Sequence, residues 1–279
     1  MSGDGTGDGA VRIGYDARGA VAGIDVGATL CKLALRRDGL STAHYPSTDL
    51  AGARALVEAW SPSRIVATGG GAHRLGTEVA GVPIEHVSEF EAWARGAPLV
   101  AAEEGIGLPD RYLLVSLGTG TSVLAIDEGR VERVGGTALG GGTVLGLGRL
   151  LVGIESFGEI AAMAERGDRR SVDLLVGDVY RGADAPLLRD LTAASFAKLA
   201  STRPEDLAQA LMGLVGENVA LLCGGLARGL AVETVVYCGS TLSENPSLRR
   251  IVADITTHLG HRAAFLAGGA FCGAVGAAG

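Results

Sequence analysis

Two stretches of this chain repeat a pattern that confines it to few folds. Val21 to Gly39, VAGIDVGATLCKLALRRDG, runs as an apolar strand, a small-residue turn, a second apolar strand and a charged turn. Arg111 to Val131, RYLLVSLGTGTSVLAIDEGRV, does the same. Thr29 aligns with Thr121 and Asp38-Gly39 with Glu128-Gly129, the second hairpin being two residues shorter. Two such hairpins about ninety residues apart indicate a duplicated fold and not a short-period solenoid. In this alignment Leu117 stands opposite Asp25, so the acid belongs to one copy alone. An unpaired carboxylate in an apolar strand is costly. Asp25 therefore predicts something at the turn that meets its charge: a metal beside phosphates, or a turn cap.

Strands and helices alternate through the rest of the chain. DLAGARALVEAWSPS has helical spacing, RIVATGGGAHRLG is a strand entering a glycine turn, and EHVSEFEAWARGAPLVAAEEG passes from a strand edge into a helix at Glu89. RVGGTALGGGTVLGLGRLLVG predicts a glycine-dense turn and an apolar helix from near Thr143. Further helices follow over SFGEIAAMAERGD and RPEDLAQALMGLVGENVALLCGGLARGL. VETVVYCGSTLSENPSLRRIVADITTHLG reads as strand, turn and helix, and AAFLAGGAFCGAVGAAG as a strand running into a small-residue helix. This alternation, punctuated by glycine turns at strand ends, gives an α/β class.

Composition removes several kinds of function. The net charge is −7 and no run of Lys or Arg builds a basic face, which argues against nucleic acid as a partner. The four cysteines are far apart with no CxxC, as in a reduced intracellular chain with buried thiols. The five histidines are scattered without a triad partner, and Glu103-Glu104 and Arg169-Arg170 read as solvated faces. Residues 1–20 are polar and glycine-rich, lack the basic start and apolar core of a signal peptide, and are expected to be mostly disordered. The longest apolar run is interrupted by Arg228 and Glu233, so no membrane span is expected. A cytoplasmic protein follows from these expectations.

The glycines are the positive signal. There are 45, and they cluster at five turns: Gly27-Ala28-Thr29, Gly69-Gly70-Gly71, Gly118-Thr119-Gly120-Thr121, Gly140-Gly141-Gly142 and Gly239-Ser240-Thr241. Such turns let an anion approach backbone N–H groups, and a following helix N-terminus adds a favourable dipole. A lone glycine turn merely reverses the chain; five, mostly after apolar strands, point to a nucleotide cleft. Neither a Walker A lysine motif nor a GxGxxG entering a helix is present, so the two hairpins would clamp the phosphates.

The chain here resembles the actin-like ATPase and sugar-kinase superfamily, and within it the type II pantothenate kinases. GIDVGATLCK, SEFEAWARG, VSLGTGTSV, RVGGTALGGGTVLGLGRLL, GDVY, YCGSTL and AGGAFCGAVGA carry the likeness, in the family's order and spacing, over residues 21–279. The resemblance implies a two-lobed actin-like (ribonuclease H-like) α/β fold with ATP in the cleft between lobes. The expected division is a tail at 1–20, an N-terminal lobe at 21–110 and a C-terminal lobe at 111–279 carrying dimerisation helices. It further implies a homodimer, with the 205–230 helix a candidate for its seam, and an ATP- and Mg²⁺-dependent kinase that converts pantothenate to 4′-phosphopantothenate for coenzyme A synthesis.

Roles follow residue by residue. Asp25 would meet Mg²⁺, directly or through water. Glu89 occupies the place of the family's general base; a carboxylate within reach of a primary alcohol helps as its proton leaves. The alternative for Glu89 is a helix N-terminal acid, a part Glu91 could also take. Gly27, Ala28, Thr29, Thr119, Gly120, Thr121, Gly140, Gly141, Gly142 and Thr143 would surround ATP. Lys32 would either reach a phosphate or lie in solvent. Ser240 and Phe157 would lie near the nucleoside, a core position being the alternative for Phe157. Arg133 and Tyr180 would face pantothenate with Glu89, Arg133 otherwise being a surface residue at a hairpin end. Two departures stand out. Ala28 replaces the second glycine of the usual Gly-Gly-Thr turn, costing about 1 kcal/mol if the position needs positive φ. Arg181-Gly182 after Tyr180 makes the acceptor-side loop differ from the family's. Two rival readings are a related kinase for another small alcohol, such as an amino sugar, and a catalytically silent nucleotide-binding sensor.

Overall fold

The computed structural model describes residues 19–180 and 189–279, in two compact units. The expected disorder of the tail concerns residues that, up to position 18, lie outside the described ones, as do Arg181 and Gly182. Ala20 belongs to the fold: it is buried, and its carbonyl accepts from the Ser63 amide at 2.8 Å.

The first unit runs to Leu108 and includes Gly268–Gly279. β1 (Val21–Val26), β2 (Leu30–Arg36) and β3 (Leu40–Pro46) form an antiparallel meander. α1 (Leu50–Trp60) then crosses over to β4 (Arg64–Thr68), which pairs parallel with β1, as a crossover helix requires. Asp49 caps α1 by accepting from the Gly52 amide at 2.9 Å. β5 (Glu78–Val79) and β6 (Val82–His86) complete the order β3-β2-β1-β4-β6-β5, and α2 (Glu89–Glu103) follows. Ala22, Ile24 and Val26 alternate into a core with Ala53 and Val57 of α1, so the intervening Gly23 and Asp25 face the other side of the sheet.

The second unit, Pro109–Ala267, repeats the plan. β7 (Arg111–Leu117), β8 (Thr121–Asp127) and β9 (Arg130–Thr137) form the second meander. α3 (Gly141–Val152), α4 (Phe157–Ala164), the short pair β10 (Leu174–Leu175) and β11 (Thr192–Ala194), and the one-turn α5 (Val176–Val179) lead to α6 (Pro204–Gly229). β12 (Thr234–Cys238), α7 (Pro246–His258) and β13 (Arg262–Phe265) close the order β13-β12-β7-β8-β9. Leu113, Val115 and Leu117 pack against α6 through Met212, Val215 and Val219. α6 is long and apolar enough to cross a membrane, yet 67% of its apolar window is buried within the protein, where it serves as the core helix.

The superposed plans correct the hairpin alignment. Val26 and Leu117 both end their strands and both face the crossover-helix core, so the residue before each faces away from it. Ser116, not Leu117, is therefore the counterpart of Asp25. The mismatch arises in the turns: the last pairs, Val26 with Cys31 and Leu117 with Thr121, enclose loops of unequal length.

The expected C-terminal lobe, 111–279, also needs correction. α8 (Cys272–Ala278) returns to the first unit, against β1 and α2. Glycine makes this docking possible. A Cβ on Gly96 would overlap the Cys272 carbonyl oxygen, and one on Gly276 would overlap that of Ala92, so the helices meet backbone to backbone.

The pair Arg169-Arg170 does not lie on a single solvated face. The Arg169 guanidinium sits between the buried Asp173 and Glu217, 3.6 and 2.5 Å away, and donates to the Thr192 hydroxyl at 2.7 Å. Arg170 alone is exposed, paired with Asp168 at 2.9 Å. Glu104 likewise has a partner, accepting from the Gly268 amide at 2.7 Å, and Glu103 is half-buried, its carboxyl pushed up by desolvation.

Candidate active site

Asp25 is 2% exposed, inside the first unit and one residue short of its strand end. Its cross-strand partner in β2 is Lys32, whose ammonium lies 3.9 Å from Oδ2. Lys32 is 13% exposed, so the solvated alternative for this residue does not hold. The Trp93 indole of α2 lies beside the same carboxylate: a Cβ on Gly273 would lie 2.5 Å from Asp25 Oδ2 and 2.8 Å from Trp93 Nε1. The other oxygen, Oδ1, is buried without a hydrogen-bond partner among the described residues. Burial pushes the carboxyl upward, while Lys32 and the indole pull it down.

Oδ1 gives the site its capacity for a cation. Magnesium is commonly held by one or two carboxylates, with phosphate oxygens and water completing the shell. A single acid with an unpartnered buried oxygen fits that need. Among the described residues no group of three or more His, Cys, Asp and Glu offers an all-protein metal cage.

Glu89 opens α2, directly after the N-cap residue Ser88, and is half-buried. Its carboxyl is pushed above the ordinary range, first by desolvation and then by the Asp25 charge, with Lys32 acting in the opposite direction. Glu91 takes the helix-surface part: it is exposed and pairs with Arg95 one turn on, at 3.3 Å. The two glutamates are thus distinguished by environment, one desolvated next to a second acid and the other solvated.

The first turn itself is braced from β3. The Gly27 amide donates to the Leu30 carbonyl at 3.0 Å, and the Ser47 hydroxyl donates to the Gly27 carbonyl at 2.7 Å. Ala28 and Thr29 are exposed at the tip. Ala28 is not among the residues with positive φ, so the methyl group introduces no backbone strain. The glycines at 69–71 lie behind this turn, with the Gly71 amide donating to the Val26 carbonyl at 2.9 Å.

In the second unit three glycine turns converge. The Gly141 and Gly142 amides, at the start of α3, donate to the Gly118 and Thr119 carbonyls at 2.8 and 2.9 Å. From the other side the Thr241 hydroxyl donates to the same Gly118 carbonyl at 2.7 Å. A Cβ on Gly140 would lie 2.7 Å from both the Gly120 Cα and the Thr119 carbonyl oxygen. Thr121 and Thr143 turn their hydroxyls inward, to the Leu139 and Ala138 carbonyls at 2.7 and 3.1 Å. Most of the expected phosphate-contact residues therefore hold one another, while Thr119 stands exposed at the tip.

The remaining predicted residues lie at varied distances from this cluster in role. Ser240 follows the positive-φ Gly239 and begins the turn that ends in Leu242. Phe157 opens α4 and packs against the core of the second unit, as its alternative reading had it. Arg133, on β9, is exposed and has no carboxylate within ion-pair distance among the described residues. Tyr180 is 48% exposed, and its carbonyl accepts from Arg189 at 3.1 Å. In GDVY, Asp178 caps α5 through the Leu175 amide and pairs with Lys198 at 2.7 Å. Trp93 and Ser47 were missed in the sequence. The signal for Trp93 was present, four residues after Glu89 and so on the same helix face; Ser47 gave none.

Comparison with known proteins now has a geometry to meet. The family model described as Fumble matches residues 108–279. The type II pantothenate kinase of Staphylococcus aureus (strain USA300) is 34% identical over 264 residues, which are 91% of this chain and 97% of that protein. Component A of the (R)-2-hydroxyglutaryl-CoA dehydratase of Acidaminococcus fermentans has a similar structure, with TM-score 0.62 and 20% identity over 93% of this chain and 96% of that one. A ROK family glucokinase from Streptomyces griseus, solved with glucose and AMPPNP, gives TM-score 0.55 and 14% identity over 93% and 98%. These structural likenesses show the fold, that of the actin-like ATPases and sugar kinases.

Proposed function

The chain belongs to the type II pantothenate kinase family, and from that premise we propose that it transfers the γ-phosphoryl group of ATP to the primary hydroxyl of pantothenate. The products are 4′-phosphopantothenate and ADP, the first step of coenzyme A synthesis. The observation that carries this reading is the pair of carboxylates in the first unit: a desolvated Glu89 whose charge is coupled to the buried Asp25.

Glu89 acts as the base. As the pantothenate oxygen bonds to phosphorus and the bond to the ADP oxygen breaks, the hydroxyl proton passes to the Glu89 carboxylate. A base pushed upward by its surroundings is better matched to a proton it must accept near neutrality. Asp25, whose Oδ1 is buried without a partner among the described residues, would hold Mg²⁺ directly or through water, and the metal when bound would neutralise phosphate charge. Lys32, 3.9 Å from the second carboxylate oxygen, opposes the effect of burial and favours the ionised acid. The exposed tips at Ala28-Thr29 and Thr119-Gly120 are the ATP-facing parts of the two hairpins. Gly140–Gly142 and Thr121 support the second tip from behind, Thr143 braces the start of α3, and Ser240 lies toward the nucleoside. Arg133, an exposed guanidinium with no ion-pair partner among the described residues, takes the acceptor's oxygen atoms, with Tyr180 on the acceptor side. A homodimer in the cytoplasm completes the proposal. The glucokinase complex with AMPPNP supports ATP as the nucleotide.

The test is ADP release by purified protein with MgATP, alone and with pantothenate, N-acetylglucosamine or N-acetylmannosamine. Pantothenate alone should stimulate turnover, and Glu89→Gln should reduce kcat by about 10²–10⁴-fold. Stimulation by a sugar instead would replace the acceptor, and no stimulation by any of them would overturn the kinase reading.

A further inference from the structure

The ribbon formed by β10 and β11 joins neither main sheet. Its strands are two and three residues long, and a lone two-stranded ribbon is marginal in water. Charged side chains hold it in place. Arg169 donates from one terminal nitrogen to the Thr192 hydroxyl at 2.7 Å and from the other to the Asp190 carbonyl at 2.9 Å. The two acids flanking the guanidinium bond the same segment. Glu217 of α6 accepts from the Thr192 amide at 3.1 Å, and Asp173 accepts from the Phe196 amide at 2.9 Å. From there the bonding passes to the other strand's continuation. The Val176 and Gly177 amides donate to the Leu191 and Arg189 carbonyls at 2.8 and 2.9 Å, and the Arg189 guanidinium donates to the Tyr180 carbonyl at 3.1 Å.

A buried ion cluster is a weak source of stability, because desolvating each charge is costly. Its distinctive effect is to admit one arrangement of the backbone that it bonds. Here that backbone carries Val179 and Tyr180, whose side chains are 53% and 48% exposed. Exposed apolar and aromatic groups on a fixed support are prepared for contact, since little freedom is left to lose on binding. We propose that Arg169 is a positioning residue for the reaction: through Thr192, Asp190 and the β10–β11 ribbon it fixes Tyr180 for the acceptor. This rests on the reading of Tyr180 as an acceptor-side residue. Arg169 is itself largely buried, 15% exposed, and acts only through the ribbon.

Steady-state kinetics on Arg169→Lys, which keeps the charge and loses the planar fork, test this. KM for pantothenate should rise about tenfold while KM for ATP stays within about twofold. Tyr180→Ala should show the same pattern, and the double variant should be no worse than Tyr180→Ala alone, because one residue acts through the other. Losses that multiply, or an unchanged KM in a folded Arg169→Lys protein, would reduce Arg169 to a stability residue. Thr192→Val leaves all three charges in place and serves if Arg169→Lys does not fold; it should raise KM for pantothenate about threefold. Amide hydrogen exchange reads the clasp without any acceptor. Peptides over 174–180 and 189–196 should exchange faster in Arg169→Lys, with those over β12 unchanged. Equal exchange would overturn the proposal, whether or not the protein phosphorylates pantothenate. Faster exchange in a protein that pantothenate does not stimulate would uphold the clasp and sink the functional reading. A loss of dimer with KM for pantothenate unchanged would make the ribbon's end a subunit contact and overturn the acceptor role.

Discussion

In the first hairpin the position two residues before the turn glycine is Asp25; in the second it is Ser116. Both are buried, both face away from the crossover helix, and both sit at the end of a strand central to its sheet. Around Asp25 the protein gathers side-chain chemistry: an ammonium, an indole and, on α2, a second carboxylate. Around Ser116 it gathers backbone: three glycine turns whose amides, carbonyls and one threonine hydroxyl lock together. A duplicated scaffold thus divides the work, one copy carrying charge and the other a rigid platform. Substitutions in the first should affect turnover with little effect on stability, and substitutions in the second the reverse.

The largest effect should fall on the acid. Asp25→Asn is expected to lower kcat by a hundredfold or more, on the order of the several kcal/mol that metal-assisted charge stabilisation supplies; Ser116→Asn should leave it within about threefold. Steady-state rates on both variants decide this, and equal losses would break the division. Next in size is the platform. Gly140→Ala should cost about 1–3 kcal/mol in urea unfolding because its methyl meets backbone. Gly27→Ala, with a Leu30 carbonyl 3.1 Å from the new methyl, should cost less than about 1 kcal/mol.

A smaller, sharper effect concerns pH. Glu89 must be ionised to accept a proton, so activity should fall as pH drops through its raised pKa, placing the acid limb of kcat above that of an ordinary glutamate. Removing the Asp25 charge in Asp25→Asn should move the limb to lower pH, and removing the opposing Lys32 charge in Lys32→Met should move it higher. Residual turnover followed across pH reads both directions. The smallest effect is expected at Ala28→Gly. With no positive φ to relieve, ATP affinity should change by less than about threefold in calorimetric titration.

How much of this was legible depended on how far apart the determinants lie. The hairpins, α1, α2 and α7 follow from local alternation, helical spacing and glycine or Asn/Asp caps, each contained in a short window. Glu89 was legible because a strand-to-helix junction and a family motif coincide there. The counterpart of Asp25 was misread because one turn is longer than the other, and only strand pairing reveals a shift that small. Arg169 was misplaced because its partners come from positions 173, 192 and 217, and no local pattern marks an ion network assembled across three segments. The engagement of the Gly141 and Gly142 amides was hidden for the same reason. A glycine run reads alike whether its N–H groups await an anion or bind a neighbouring turn.

The return of Gly268–Gly279 to the first unit has a consequence for how the molecule is made. A ribosome delivers β1 and Asp25 early, then the whole of Pro109–Ala267, and only afterwards the helix that lies behind the acid. The second unit is contiguous and can close on itself during synthesis, since domains generally fold as units while the chain emerges. The first must wait with one face of its sheet bare. A chain released short of Cys272 would own every residue assigned to nucleotide, acceptor and metal, yet lack the wall against which Asp25 and Trp93 are set. The site is complete only once α8 has emerged and docked.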